Sequence, residues 1–260
     1  MTLSNKQTSP LNKCISFMQS RLPQSCFLCA ARVTGQLLCP GCAADLPTLP
    51  TAGPSQGGHC TPLGGSEAWG SSAPACCPQC ALPTPAGELC GACLQQPPAF
   101  DRTLAAFAYA FPLDTLVQQC KYAHATGLAA FFAERIAQRV GADSGIDYLL
   151  PMPLHPARLA QRGFNQAAEI ARRLSPQVRI PWLAEACRRV RNTPSQAGLD
   201  LKTRQHNLRG AFACGLDLSG KRVALIDDVM TSGSSLHELA RAVRQAGALE
   251  IQAWVLARTL

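Results

Sequence analysis

The feature that most limits how this chain can fold is a duplicated arrangement of cysteines in its first third. Two short modules share the spacing Cys-x2-Cys-x9-Cys-x2-Cys. Their cysteines are Cys26, Cys29, Cys39 and Cys42 in the first module and Cys77, Cys80, Cys90 and Cys93 in the second. A two-residue spacing lets a tight turn direct both thiolates at one ion, and two such turns complete the four-thiolate shell of structural zinc. Modules this small bury too little apolar area to fold alone, so metal binding would supply their folding energy.

We therefore predict two closed, structural Zn²⁺ sites, although an iron–sulfur cluster uses the same ligands and stays open as an alternative. Disulfides or redox dithiols are disfavoured, because residues 1–25 contain no apolar segment typical of a secretory signal. From this we expect a cytoplasmic protein.

The composition allows a large domain beside a small one. Hydrophobic residues make up 47% of the 260 residues, which excludes a chain disordered throughout. No apolar run approaches the roughly 18 residues of a membrane span. We expect an N-terminal segment at 1–25, a double zinc-ribbon region at 26–98 with a flexible Gly/Ser/Pro-rich spacer at 51–75, and a larger domain at 99–260.

Positive charge is concentrated in one stretch of the larger domain. The chain has a formal charge of +8, and residues 155–222 carry 13 basic against 4 acidic side chains. Arginine offers a planar fork for phosphate oxygens, so the stretch favours phosphate or nucleic-acid binding. A solvated face of an ordinary basic protein explains the charge equally well.

Apolar periodicity in the larger domain alternates between strands and helices. It predicts strands at 102–111, 148–153, 221–226 and 250–257, and helices at 113–122, 128–140, 165–174 and 234–247. This alternation is typical of an α/β fold with a parallel sheet flanked by helices.

The strongest functional signal follows the strand predicted to end at Ile226. Asp227 and Asp228 come next, and the hydroxyl-rich loop Thr231-Ser232-Gly233-Ser234-Ser235 then leads into a helix. Ligands of open α/β sheets bind at the carboxyl ends of strands, and a helix N-terminus attracts phosphate. A ribose 5-phosphate fits this pattern, with the carboxylates on the sugar hydroxyls and the loop on the phosphate. The alternative is an ordinary strand–turn–helix in which Asp228 or Thr231 caps the helix.

Three stretches resemble a known family. The segment LIDDVMTSGSS at 225–235 is similar to the signature of type I phosphoribosyltransferases, which bind 5-phosphoribosyl-1-diphosphate (PRPP). Residues 151–166, PMPLHPARLAQRGFNQ, and the pattern from Arg191 to Phe212 resemble stretches of the ComF family. Members of that family also carry a cysteine-rich zinc region before the phosphoribosyltransferase domain. The resemblance implies a type I phosphoribosyltransferase fold and a role in DNA uptake during competence or in the use of external DNA.

The resemblance also assigns roles to single residues. Asp227 and Asp228 would hold the ribose hydroxyls, and Thr231 to Ser235 the 5-phosphate. His155, Arg158 and Arg162 would lie at the diphosphate, which chelates Mg²⁺; a turn histidine and solvent-facing arginines are the alternatives. The stretch 188–207 occupies the place of a lid that closes over PRPP. Its bases are Arg188, Arg189, Arg191, Lys202 and Arg204, of which Arg191 and Arg204, together with the acid pair, are the expected catalytic residues.

Three functions remain in competition. The first is phosphoribosyl transfer to an acceptor that the sequence does not identify. The second is a catalytically inactive protein that binds single-stranded DNA along the basic stretch, for which stacking aromatics are sparse. The third is an adaptor whose zinc region docks a partner, for which proteins of the competence machinery are the candidates. Because each cysteine module closes around its own ion, we expect Cys77→Ser to unfold its own module and to leave the PRPP pocket largely intact.

Overall fold

The computed structural model describes residues 23–50, 75–122, 126–141, 144–191 and 208–260. The chain divides into two compact units, residues 1–46 and residues 47–260. Within the described ranges, no helix combines the length and the apolar composition needed to cross a membrane.

The first unit contains the first cysteine module. Strands β1 (Pro23–Ser25) and β2 (Arg32–Thr34) pair in antiparallel fashion, and helix α1 (Pro40–Ala44) follows. Cys39 caps α1 and Pro40 occupies its first turn, where a missing backbone N–H costs nothing. The short strands and the helix therefore bring together the two Cys-x2-Cys turns.

The second unit is built on a four-stranded parallel sheet in the order β5-β10-β9-β6. These strands are β5 (Arg102–Ala108), β6 (Tyr148–Pro151), β9 (Arg222–Met230) and β10 (Glu250–Arg258). The helices around them are α3 (Leu113–Tyr122), α4 (Thr126–Val140), α5 (Pro156–Arg162), α6 (Gln166–Val178) and α7 (Ser234–Gln245). A separate antiparallel pair consists of β7 (Cys187–Arg189) and β8 (Phe212–Cys214). The expected α/β fold with a parallel sheet is confirmed.

Both faces of the central strands are covered. Val223 and Leu225 of β9 lie in one buried cluster with Leu236 and Leu239 of α7. Successive side chains of a strand point to opposite faces, so Ala224 and Ile226, which are also fully buried, face the other side. Helix α6 packs against β9, and helix α4 packs against β10 and β5. Burial on both faces explains why β9 and β10 are near-continuous apolar runs.

The second cysteine module lies in the same unit as the sheet. It comprises β3 (Ala75–Cys76), β4 (Pro83–Thr84) and α2 (Gly91–Gln95). Thr103 of the edge strand β5 donates its N–H to the Pro78 carbonyl at 2.9 Å and its hydroxyl to the Gln79 carbonyl at 2.7 Å. Cys77 is fully buried in the core cluster that also holds residues of β9 and α7. This packing argues against the expectation that the module behaves independently of the larger domain.

Candidate functional site

The acid pair lies at the carboxyl edge of the sheet. The sequence predicts that strand β9 ends at Ile226, but β9 runs on to Met230, because its ladder with β10 continues through Val229 and Met230. Asp227 and Asp228 are therefore half-buried residues of the strand itself. The Asp228 N–H donates to Asp227 Oδ1 at 2.9 Å, and the Val229 N–H donates to Asp228 Oδ1 at 2.8 Å. These two bonds fix both carboxyl groups close to their own backbone.

A lysine that sequence analysis did not single out neutralises one member of the pair. Lys121 Nζ, in the last turn of α3, lies 2.8 Å from Asp228 Oδ2. Burial acts to lower the pKa of Lys121, but the charges of Asp228 and Asp227 outweigh burial and hold that pKa above its usual value. The sequence contains no local sign of this contact, because α3 and β9 are far apart along the chain.

Asp227, the other member of the pair, has a strongly raised pKa. Burial and, next, the charge of Asp228 raise the pKa of the Asp227 carboxyl from 3.8 to about 8, against the smaller opposing effects of the Asp228 N–H and Lys121. The site therefore holds one carboxylate in an ion pair and one carboxyl that is largely protonated at neutral pH.

Arginine charge also reaches this edge of the sheet. The buried Arg189 of β7 has its guanidinium carbon 5.5 Å from the centre of the Phe212 ring. Burial and the nearby charge of Arg158 lower the pKa of Arg189, whereas Asp227 acts to raise it. The charge of Arg189 is thus within range of both Arg158 and Asp227.

The loop after β9 has the geometry of a phosphate loop. Gly233 has φ +77° and ψ 0°, a left-handed conformation that L side chains rarely adopt, and it precedes the first turn of α7. Ser232 and Ser234 hydroxyl oxygens lie 2.9 Å apart, and the Ser234 N–H donates to Ser232 Oγ at 3.4 Å. Because the dipole of the 12-residue helix α7 favours negative charge at its N-terminus, the loop Thr231–Ser235 suits an anion.

The loop after β6 lies beside the acid pair. The Met152 N–H donates to the Ile226 carbonyl at 2.8 Å, which continues the β6–β9 ladder. Asn165 caps α6 through its Oδ1 and donates Nδ2 to the Met152 carbonyl at 3.0 Å. His155 Nδ1 accepts the Ala157 N–H at 3.2 Å and caps α5, which carries Arg158 and Arg162. In the described contacts, His155 therefore acts as a helix cap.

The predicted lid is only partly within the described residues. Arg204 and Lys202 lie outside them. Arg191 is exposed, and its Nη1 donates to the Arg209 carbonyl at 2.7 Å. Strand alternation in β7 exposes Arg188 and buries Arg189. Of the described basic residues that the sequence assigns to this segment, Arg189 is the one whose pKa is affected by the charge of Asp227.

Each cysteine module gathers four sulfur atoms. The four Sγ atoms of each module lie within 4.8 Å of one another. Sγ atoms are 3.6 Å apart for Cys29 and Cys39 and 3.5 Å apart for Cys80 and Cys90, close to the separation of about 3.8 Å that follows from Zn–S bonds of about 2.3 Å in a tetrahedron. In the first module, the Cys39 N–H donates to Cys26 Sγ at 3.3 Å. Both tetrads therefore fit a four-thiolate metal ion.

Comparisons with known proteins agree with this architecture. The family described as phosphoribosyl transferase domain matches residues 159–260. Over 191 residues, 71% of this chain and 84% of the relative, the chain is 35% identical to DNA utilization protein YhgH of Escherichia coli (strain K12). It is 36% identical over 178 residues to Competence protein F of Haemophilus influenzae, covering 65% of this chain and 78% of that protein. The purine phosphoribosyltransferase from Pyrococcus horikoshii Ot3 matches with 22% identity and a TM-score of 0.33, over 53% of this chain and 76% of that protein.

The parallel sheet and the domain match define a protein with the type I phosphoribosyltransferase fold. The chain belongs to the ComF family of phosphoribosyltransferase-like proteins. The resemblance seen in the sequence is thereby confirmed.

Proposed function

We propose that this chain binds PRPP at the carboxyl edge of its sheet and acts in the uptake or use of DNA. The observation that carries the proposal is the placement of the acid pair and the Thr231–Ser235 loop at the end of one strand, β9. The names of the two relatives support the biological role, since one is a DNA utilization protein and the other a competence protein.

The ribose and its 5-phosphate would use the two parts of this strand end. Carboxyl oxygens of Asp227 and Asp228 would accept hydrogen bonds from the ribose hydroxyls. The contact with the ion-paired carboxylate of Asp228 is charge-assisted and worth about 1.5–3 kcal/mol. The 5-phosphate would accept N–H and hydroxyl donors of the loop that begins α7. The loop residues are Thr231, Ser232, Gly233, Ser234 and Ser235.

The diphosphate would lie toward the arginines. Arg189 carries positive charge within range of Asp227 and of Arg158, and Arg162 follows Arg158 on the same short helix α5. We propose that His155, Arg158 and Arg162 contact the diphosphate, and that Arg191 and Arg204 close over it. Mg²⁺ chelated by the diphosphate would neutralise part of its charge.

The proposed reaction is phosphoribosyl transfer. The bond between ribose C1 and the diphosphate oxygen breaks, and diphosphate leaves with the bonding electron pair. An acceptor nucleophile then forms the new bond at C1. The arginines would stabilise the charge that develops on the leaving diphosphate, while the acid pair holds the ribose in place.

We propose zinc as the metal of both tetrads, with a structural role, because four thiolates leave no coordination position open. Thiol-rich metal sites persist in reducing compartments, which supports a cytoplasmic location. Single-stranded DNA and proteins of the competence machinery are the macromolecular partners that we propose.

Calorimetric titration with PRPP in the presence and absence of Mg²⁺ tests the proposal. Asp228→Asn should weaken PRPP binding by roughly 10- to 150-fold. Asp147→Asn is the matched control, since Asp147 is exposed at the opposite edge of the sheet, where it accepts the Arg222 N–H at 2.8 Å. Wild-type affinity in Asp228→Asn would refute the site. Single-stranded DNA is added as a competitor, and binding of DNA without PRPP would favour the inactive DNA-binding alternative.

A further inference from the structure

Arg258 connects the second cysteine tetrad to the candidate phosphate loop. This arginine is the last residue of β10 and is only 6% exposed. Its Nε donates to the Cys80 carbonyl at 2.9 Å, and its Nη1 donates to the carbonyls of Met230, at 3.2 Å, and of Thr231. One planar guanidinium thus holds the backbone of a metal-ligating turn and the backbone of the loop after β9.

The electrostatics of Arg258 point to the same tetrad. Among the described residues its hydrogen-bond acceptors are backbone carbonyls, and no carboxylate lies within ion-pair distance. A Zn²⁺ ion with four thiolates carries a net charge of −2, so a loaded tetrad would compensate this buried cation.

We propose that Arg258 is a positioning residue through which metal occupancy of the second tetrad sets the affinity of the Thr231–Ser235 loop for a sugar 5-phosphate. The metal fixes the Cys77–Cys80 turn, the turn holds the guanidinium at the Cys80 carbonyl, and the guanidinium holds the Thr231 carbonyl. The part of this proposal that concerns sugar phosphate rests on the proposed function, whereas the contact with the tetrad does not.

The two tetrads offer a matched pair of variants. Cys39 and Cys90 occupy the same position in their modules, and each is the N-cap residue of a five-residue helix. Cys90→Ser should weaken ribose 5-phosphate binding by about 10-fold, within the usual range of coupling between two sites. Cys39→Ser should leave the affinity within about 2-fold, because the first tetrad belongs to the other compact unit. Calorimetry on the zinc-loaded full chain measures both, and equal affinities in the two variants would overturn the proposal.

A double-mutant cycle tests the route through the arginine. Arg258→Lys keeps the charge but loses the fork that reaches both carbonyls. In that background Cys90→Ser should have almost no further effect, whereas additive effects would show that the coupling bypasses Arg258. Should Cys90→Ser not fold, coupling is measured in the wild type, because it is reciprocal. Saturating ribose 5-phosphate should then tighten zinc binding at the second tetrad by the same factor, and an unchanged zinc affinity would overturn the proposal.

Zinc retention in the absence of any sugar phosphate separates this proposal from the proposed function. Arg258→Lys should lose one of its zinc ions to a chromogenic chelator faster than the wild type does. Arg244→Met is the control, because Arg244 is also bonded to backbone carbonyls and to Asp101, but not to Cys80 or Thr231. If wild-type protein does not bind ribose 5-phosphate, the proposed function fails, and unequal zinc loss still supports the contact. Equal zinc loss in the two variants contradicts it.

Discussion

Asp227→Asn should stabilise the folded protein, and the gain should increase with pH. The carboxyl titrates at about 8 in the folded state and at 3.8 ordinarily, so between these values the folded state holds a proton that the unfolded state has released. Stability contributed by this group is therefore lost as the pH rises from about 4 to about 8. Because asparagine does not titrate, the Asp227→Asn variant does not undergo this pH-dependent loss of stability.

The size of the effect follows from the two pKa values. One pKa unit corresponds to about 1.4 kcal/mol, so the stability gap between variant and wild type should widen by about 2 kcal/mol from pH 6 to pH 8. It should widen by only a few tenths of a kcal/mol from pH 8 to pH 9, because the carboxyl is then ionised in both states. This curvature distinguishes the titration from a constant packing effect.

The difference in free energy of unfolding between Asp227→Asn and the wild type is measured by urea unfolding followed by tryptophan fluorescence. The zinc concentration is kept equal across this pH range. Trp254 is a suitable reporter, since it is fully buried in β10 beside β9. Lys121→Met is a control that should change the free energy of unfolding in the opposite direction, because it leaves Asp228 without its ion-pair partner at 2.8 Å. It should destabilise the protein by about 1–3 kcal/mol. A stability gap for Asp227→Asn that is negative at pH 8, or that does not change with pH, would refute the reasoning.

Three further predictions concern the metal and the anion sites. Elemental analysis should find about two zinc ions per chain, and an iron chromophore in place of zinc would contradict the assignment. Gly233→Ala should weaken ribose 5-phosphate binding in calorimetry, because its Cβ would lie 2.7 Å from Met230 Cε at a φ of +77°; unchanged affinity would show that the loop conformation does not matter. Arg189→Met should reduce PRPP affinity but not ribose 5-phosphate affinity, whereas the exposed Arg188→Met should change neither. Equal losses for both ligands in Arg189→Met would place that side chain away from the diphosphate.

The sequence predicted the features that depend on local pattern. A four-residue apolar run before Asp227 predicts a buried strand, and β9 is that strand, with Val223 to Ile226 fully buried. The hydroxyl-rich loop predicted a helix start, and α7 begins at Ser234. The predicted end of this strand at Ile226 is too early, because the apolar run stops there, whereas pairing with β10 extends β9 through the two acidic residues to Met230.

Long-range contacts could not be predicted in this way. Neither Lys121, in an ordinary amphipathic helix, nor Arg258, two residues from the chain end, belongs to a recognisable motif. Their roles arise from the sheet order, which places β10 next to β9 and brings the second cysteine module to β5. The spacing of cysteines predicts a metal site, but it carries no information about which surface the module packs against.

The charges around the acid pair explain why the site would keep Asp227, a carboxyl whose raised pKa makes its ionisation costly to the stability of the folded protein. Lys121 balances Asp228, and the second carboxyl has only weaker opposing effects from Lys121 and Arg189. Stability lost in the empty site is regained when hydroxyl donors of a ligand reach Asp227, because hydrogen bonds to the ionised form lower its pKa. Ribose 5-phosphate should therefore raise the thermal midpoint more at pH 8 than at pH 7, and this extra gain should vanish in Asp227→Asn. Both pH values lie above the second pKa of a sugar phosphate, near 6, so titration of the ligand contributes little to the difference.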